Sequence, residues 1–440
     1  VAAGAGYYRR TAGAAPPAPV LRGRHEAAVC IVGGGFAGLN TALGLAERGV
    51  GQVLLLEAQD LAHGASGRNG GFVFGGFSRG EAQLLSELGP VRAKALYRGT
   101  RDAVGLIRRR IADHGIACDH TDAGVLWTNW FRDPTPLRER QRLLAEHFDT
   151  RWDWVPAAQL ADIVRSGRYA DALFERDALH FNPLAYAHGI AATAAARGVA
   201  LHAGSPATAL VRDGAGWCVR TPEGEVRARD VVLACGGYLA GLRTEVDAGV
   251  LPIATYVMVT APLGARMDEI LRTRAAIYDS RFAFDYYRPL PDTRLLWGGR
   301  ISVRDRRPAA VQRLLYRDLL RVFPQLDGIR IEDAWSGLMS YARHEMPQIG
   351  RIDEGLWLAQ AFGGHGVAPT TFAGEVLAAA IAEGDARWRE FADYGLVSAL
   401  KPAGFLAAQL GYWWLQAKDA WKAWREAGAG TASSSGGGGM

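Results

Sequence analysis

The sequence predicts an α/β protein that begins with a parallel β-α-β unit and continues into a second, strand-rich region. Three observations predict it. An unbroken apolar run, "AAVCIV" (27–32), leads at once into glycines and then into the helical pattern "FAGLNTALGLAERG" ending at Gly49. A second apolar run, "VLLLE" (53–57), follows and closes the unit. Strands that are apolar on both faces belong to a parallel sheet covered by helices. The third observation is the stretch 255–304, which is strand-rich and includes "ATYVMVTAP" and "RLLWGGRISV".

The remaining elements follow in order. Residues 1–26, rich in Ala, Gly and Pro, read as an extended arm. Residues 81–115 are helical with charged faces, and "GVLWTNW" (124–130) is a strand. "LAYAHGIAATAAARG" (184–198) is a helix closed by glycine. "WCVRTPEGEVRARDVVLACGG" (217–237) is a hairpin turning at "PEG" and running into a buried strand. "GLWLAQAFGGHGV" (355–367) is a strand entering a glycine-rich loop, with the helix "TFAGEVLAAAIAEG" after it. The low-complexity tail from 428 to 440 is expected to be disordered.

Composition bounds the function. A chain of 440 residues with 49% hydrophobic and 22% charged residues suits a globular protein of two or three domains. The net charge of +5 is arginine-borne, with only four lysines, and shows no basic run with interleaved aromatics beyond "RRR" at 108–110. A nucleic-acid partner is not expected. The cysteines Cys30, Cys118, Cys218 and Cys235 are far apart, which argues against a disulfide framework and against a metal site. No apolar run of about 18 residues and no secretion signal is visible, so the sequence points to the cytoplasm.

The glycines between the first strand and helix are Gly33, Gly35 and Gly38, with Phe36 and Ala37 between them. Gly33 permits a tight turn, Gly35 lets a pyrophosphate approach the backbone, and Gly38 lets the helix pack on the sheet. Glu57, ending the second strand and followed by Ala58, is placed to accept from ribose hydroxyls. An acid here favours an unphosphorylated ribose, hence FAD or NAD, and this loop alone does not separate them.

A second tract, "GASGRNGGF" (64–72), lies a few residues beyond the second strand. Its Gly-Ala-Ser-Gly-Arg-Asn-Gly-Gly run resembles the flavin-contact motif of the D-amino acid oxidase-like FAD oxidoreductases, most of all the branch that includes gamma-glutamylputrescine oxidase. "GYYRRTA" near the start, "DYYRPLPDTRLLWGGR" (285–300), "MPQIG" and "GGHGV" agree with this, from about residue 7 to 425. The resemblance implies a Rossmann-like, glutathione-reductase-like FAD-binding domain from 27–90, 184–245 and 345–385. It implies a discontinuous antiparallel-sheet substrate domain from 91–183 and 246–344, then a helical segment over 386–427. By the same resemblance Ala65, Ser66, Arg68, Asn69, Gly70 and Gly71 lie along the cofactor, Ser66, Arg68 and Asn69 as side-chain donors. Ala207 should meet the adenine, Ala234 and Gly236 the pyrophosphate, and Gly364, His365, Gly366 and Val367 the flavin's pyrimidine edge.

Departures from amino-acid-oxidising relatives refine the expectation. Their carboxylate-binding Arg and Lys correspond here to Phe74 and Ala368, and a carboxylate beside Phe74 would lack a counter-charge. The cysteine that links flavin covalently in those relatives is missing from "WSGLMSYARHEMPQIG" (335–350), so FAD is expected to be non-covalent. His63 reads as an ordinary loop residue. Where some relatives carry an oxygen-assisting Lys, "LLWGGR" offers Leu296 and Trp297, which leaves the electron acceptor open between oxygen and another group. Pocket candidates are Phe74, Tyr256, Tyr286, Tyr287, Trp335, Arg343 and His344, with Arg343 and His344 placed to meet an acidic distal group. His365 and Tyr256 are the catalytic candidates. The implied reaction is oxidation of an amine C–N bond; amino-acid oxidation with the carboxylate moved to Arg343 is one alternative, and an NAD-dependent dehydrogenase or a flavin-binding protein without turnover are alternatives of another class. Finally, Leu410, Trp414, Ala417, Trp421 and Trp424 form one apolar face of a C-terminal helix. The expectation is that this face packs on protein, its own domain or a second subunit, rather than on a membrane.

Overall fold

The computed structural model describes residues 6–239 and 241–434. Two eight-stranded sheets organise these residues. The first runs in the order Gln348–Asp353, Leu356–Gln360, Gly224–Leu233, β1 (Gly23–Val32), β2 (Val53–Leu56) and Ala200–His202. The hairpin Ala209–Asp213 and Gly216–Arg220 is attached to Gly224–Leu233. Five neighbouring strands, from Leu356–Gln360 to Ala200–His202, are parallel. All four residues of β2 are buried, as the apolar run requires. The helix Phe36–Glu47 returns the chain from β1 to β2 and packs Leu39 and Leu43 into one core with Val376 and Leu377 of the helix Val367–Glu383.

The second sheet runs Ile331–Tyr341, Leu251–Thr260, Leu295–Ser302, Asp285–Pro289, Ala276–Asp279, Val125–Thr128, Ala172–Glu175, Asp153–Val155. Its neighbours are antiparallel except at one seam, where Ala276–Asp279 lies parallel to Val125–Thr128. At that seam two distant chain segments meet, and no hairpin connects them to impose opposite directions.

Three local expectations need correction. The N-terminal arm is not wholly extended, because Gly6–Thr11 is a helix that buries Tyr7 and Tyr8, and β1 already starts at Gly23. The C-terminal helix runs from Ala403 to Ser434, so the tail expected to be disordered from 428 begins as helix, and residues 435–440 lie outside the described residues. The helix Glu81–Asp113 is broken at Gly89, whose φ of 73° and following Pro90 interrupt the hydrogen-bond ladder.

Candidate functional site

A single cavity of about 1290 Å³ joins the two sheets. One end is formed where β1, β2 and Gly224–Leu233 stop together, with Val32 opposite both Leu56 and Leu233. The carboxyl edge of a parallel sheet is where such folds bind ligands. Gly33, Glu57 and Ala234 collect there, one from each strand end. Gly33 has φ +115°, and a Cβ on it would lie 2.5 Å from the Ala234 carbonyl oxygen. A Cβ on Gly38 would lie 1.9 Å from the Gly33 carbonyl, so helix and turn approach as closely as bare backbone allows. Gly35, Phe36 and Ala37 open the helix against the cavity, and Ala58 and Ala207 line the same end.

Glu57 braces this turn. Its Oε2 accepts from the Gly34 amide at 2.7 Å and its Oε1 from the Gln59 amide at 3.0 Å. Burial raises the carboxyl pKa, while these backbone donors pull it back down. Ser66 Oγ accepts from the Phe36 amide at 2.8 Å, tying the second glycine tract to the start of the helix.

The tract itself is held differently from the expectation. Arg68 donates from Nε to the His63 carbonyl at 2.7 Å, and its guanidinium also reaches the Ser336 carbonyl and the His63 ring. Asn69 donates to the carbonyls of Ala65 and Ser66 and accepts from the Gly71 amide at 2.8 Å. Both side chains line the cavity, but their polar atoms shape the loop rather than standing free for a ligand. Gly70 faces the cavity. Gly71 turns away, backing onto Phe181 with φ +80°. Behind the tract lies Arg288, fully buried and missed from the sequence. It donates to the carbonyls of Gly70 and Phe181, each at 2.7 Å. Tyr8 donates to the Asn69 carbonyl at 2.9 Å, and Trp335 Nε1 donates to the Arg68 carbonyl at 2.9 Å. Trp335 is thus a clamp on the loop from behind and not a cavity wall.

The opposite end of the cavity is aromatic. Phe74 stacks on Tyr278 at 5.8 Å and meets the His365 ring edge-on at 5.3 Å, while Phe72 packs against Tyr286 at 5.5 Å. Gly364, His365, Gly366 and Val367 all line the cavity, where the helix Val367–Glu383 begins. The Gly364 amide donates to Ser78 Oγ at 3.1 Å and fixes the loop. Burial, assisted by Arg140, pushes the His365 pKa down to about 4, so the ring is neutral near pH 7.

Arg140 and Glu81 form the floor here, and neither was singled out in the sequence. Arg140 Nη2 donates to Glu81 Oε1 at 2.7 Å, with the guanidinium 4.6 and 4.8 Å from the ring centres of Trp127 and Trp152. Burial opposes the charge on Glu81, but Arg140 outweighs it and holds the carboxyl below its ordinary value. Beside them Glu175 is buried with Oε2 unpartnered. Burial, only partly offset by Arg140, raises its pKa to about 8. The one signal available beforehand was the adjacent aromatic load of "VLWTNW" and "RWDW".

Four pocket candidates are displaced. On Leu251–Thr260 the odd-numbered residues Leu251, Ile253 and Thr255 face the cavity, so Tyr256 faces the other way. Its hydroxyl donates to the Arg304 carbonyl at 2.6 Å inside the second core. Tyr287 stacks on Trp297 at 4.5 Å in that same core, one strand position from the cavity-facing Tyr286. His344 is fixed on Gly395 and Met346, away from the cavity. Arg343 does line it, but as an exposed residue. Leu296 and Trp297 are both in cores, not on the cavity. His63 does border the cavity, its ring against Arg68.

A glycine cradle at the carboxyl edge of a parallel sheet, with an acid at the next strand end, defines a dinucleotide-binding protein. The chain belongs to the DAO family, FAD dependent oxidoreductase, whose model matches residues 28–380. It is 32% identical over 390 residues to the gamma-glutamylputrescine oxidoreductase of Escherichia coli strain K12, covering 88% of this chain and 91% of that protein. It is 31% identical over 378 residues to the Haemophilus influenzae protein named "Probable oxidoreductase OrdL", covering 84% and 86%. The fold is that of glycine oxidase from Geobacillus kaustophilus, with a TM-score of 0.72 at 20% identity, covering 85% of this chain and 99% of that one. The protein is therefore an oxidoreductase and its cofactor is FAD, not NAD. The cradle fits that group, because the close approaches at Gly33 and Gly38 set the start of the helix, Gly35 to Ala37, against the cavity where a pyrophosphate would lie. No helix among the described residues is long and apolar enough to cross a membrane.

Proposed function

We propose that the protein oxidises the C–N bond of an amine carrying a polar, zwitterion-like group at its far end. The observation that carries this reading is the Arg140–Glu81 pair on an otherwise aromatic cavity floor. A lone cation there would suit a simple amino-acid carboxylate. A cation already neutralised by Glu81 suits a group that brings both charges, one for each partner. A gamma-glutamyl head has that chemistry, and the Escherichia coli relative is named for such a substrate. The amino-acid alternative through Arg343 is disfavoured by the exposure of that residue.

FAD, when bound, takes a hydride equivalent from the carbon beside the nitrogen, and the imine left behind hydrolyses in water. Gly33, Gly35 and the start of the helix at Phe36 would hold the pyrophosphate, Glu57 the ribose, and Ala207 the adenine. Ala65, Ser66 and Gly70 would meet the cofactor's middle, and the loop Gly364–Val367 its ring edge. Phe74, Tyr278 and Tyr286 exclude water and orient the amine. Neutral His365 adds no charge to repel the substrate, and a ring held at about pKa 4 is too weak a base to deprotonate an ammonium. The amine must therefore arrive neutral. The division into a cofactor part (27–90, 184–245, 345–385) and a substrate part (91–183, 246–344) fits this reading, since their strands fall in the first and second sheets respectively, apart from Phe72–Val73 and Leu179–His180, which pair across the division.

The test is anaerobic bleaching of the visible flavin absorption by gamma-glutamylputrescine, putrescine, glycine and proline. Bleaching by the first at the lowest concentration supports the reading. Preferential bleaching by glycine or proline would replace it with amino-acid oxidation.

A further inference from the structure

The C-terminal helix turns its largest apolar side chains outward. Its inward side meets the protein through Ala423 on the second core, Tyr412 on Phe282 and three polar anchors. Gln409 accepts from Ser302 and the Val303 amide, Asp419 accepts from the Phe282 amide at 2.9 Å, and Glu426 accepts from the Arg132 amide at 2.9 Å. Its outward side carries Leu406, Leu410, Trp413, Trp414, Trp421 and Trp424, with the four tryptophans 57–72% exposed among the described residues. The face expected to pack on the protein therefore points to solvent. Exposed Val397 and Leu400 extend it, so this segment holds most of the large exposed apolar side chains of the described residues. A patch of that kind marks an interaction surface.

Charge distinguishes the occupants. The acids of the helix turn inward onto backbone amides, while Lys418 and Arg425 stay exposed on the outward side. Lys418 lies 5.6 Å from the Trp414 ring and Arg425 lies 4.8 Å from the Trp421 ring. Three of the chain's four lysines fall between residues 401 and 422. An apolar stripe with cations and no acid complements an anionic surface, and it would repel a second copy of itself across a two-fold axis. Tryptophan flanked by Lys and Arg is the composition favoured at the boundary of headgroups and acyl chains.

We propose that this face is a peripheral docking site for an anionic lipid surface, with the helix lying in the plane of the interface. Leu400, Ala407, Ala408 and Tyr412 of the same segment border the cavity mouth, so docking sets that mouth against the membrane. The inference is independent of which amine is oxidised.

The experiment is co-sedimentation of the FAD-loaded full chain with phosphatidylcholine vesicles, with and without phosphatidylglycerol. The chain should pellet with the anionic vesicles and far less with neutral ones. The exposed-site variant W413Q/W414Q/W421Q/W424Q should stay in the supernatant with unchanged circular dichroism and FAD content. K418Q/R425Q should weaken partitioning onto anionic vesicles by roughly 25-fold, about fivefold per cation. A supernatant result for the intact chain at every composition would overturn the proposal. So would pelleting that survives the tryptophan variant. Sedimentation velocity showing a dimer that the tryptophan variant dissociates, without vesicle binding, would assign the face to a second copy instead.

Discussion

Glu175→Gln should change how stability depends on pH. Glu175 ends the strand Ala172–Glu175, buried, with Oε2 unpartnered and the equally unpartnered hydroxyl of Tyr97 also buried. Burial raises its carboxyl pKa from 4.5 to about 8, against the partial relief of Arg140. The folded chain therefore holds this proton more tightly than the unfolded chain does. Between about pH 4.5 and 8 folding takes up a proton, so stability falls as pH rises, and the loss is complete above about 8. The slope approaches 1.4 kcal/mol per pH unit, so raising pH by two units inside the window removes up to about 2.7 kcal/mol. Glutamine keeps the shape and cannot ionise. The assay is urea unfolding of the FAD-saturated wild type and variant at about pH 5.5 and 7.5. The difference between the proteins isolates this residue, because histidines such as His365, with pKa depressed to about 4, act in the opposite sense and equally in both. The variant should gain on the wild type by about 1–3 kcal/mol on going to the higher pH. A constant difference at both pH values would mean that Glu175 is ionised throughout, and the argument from burial would fail.

Acid precipitation should release the flavin colour into the supernatant, since no cysteine occupies 335–350; colour kept in the pellet would show a covalent link. Glu57→Gln should weaken FAD binding by about one to two orders of magnitude, measured by flavin fluorescence on dilution, because charge-assisted bonds of about 1.5–3 kcal/mol become neutral ones. Unchanged affinity would remove Glu57 from the ribose. Arg140→Met should destabilise by about 3–5 kcal/mol in urea, because it leaves Glu81 buried without its cation, and Arg140→Met/Glu81→Gln should recover much of that. No recovery would show that Arg140 acts through packing on Trp127 and Trp152 alone.

The cofactor end was legible because its determinants are local. An apolar run, a glycine that must take positive φ at position 33, and an acid at the next strand end all lie within 27–57. The other end depends on register, which local pattern does not supply. Tyr256 and Tyr287 read as well as Thr255 and Tyr286 do, yet the pleat sends the first pair into the second core and the other pair to the cavity. Arg140 belongs to the charged helix segment "TPLRERQRLLAEH", where nothing marks one arginine out of three. Its half-buried position is decided by Trp127 and Trp152, which other elements bring over it. Arg288 hides inside "DYYRPL" for the same reason, since its partners are carbonyls at 70 and 181. The C-terminal helix misled in another way. Its apolar face was plain, but which side meets the protein was set by inward hydrogen bonds that Gln409, Asp419 and Glu426 accept.

The seating of Tyr8 bears on how the chain matures. Its hydroxyl reaches the Asn69 carbonyl, its ring lies 5.3 Å from that of Trp335, and Arg288 approaches it from a third direction. On the ribosome Asn69 follows soon after Tyr8, but Trp335 emerges more than 300 residues later. Tyr8 thus finds its place only late, because such distant contacts form only after long loops have closed. Until then the glycine loop lacks the brace behind it. A chain that has completed only its first β-α-β unit lacks this brace, and the cavity is assembled from residues as far along as Val367.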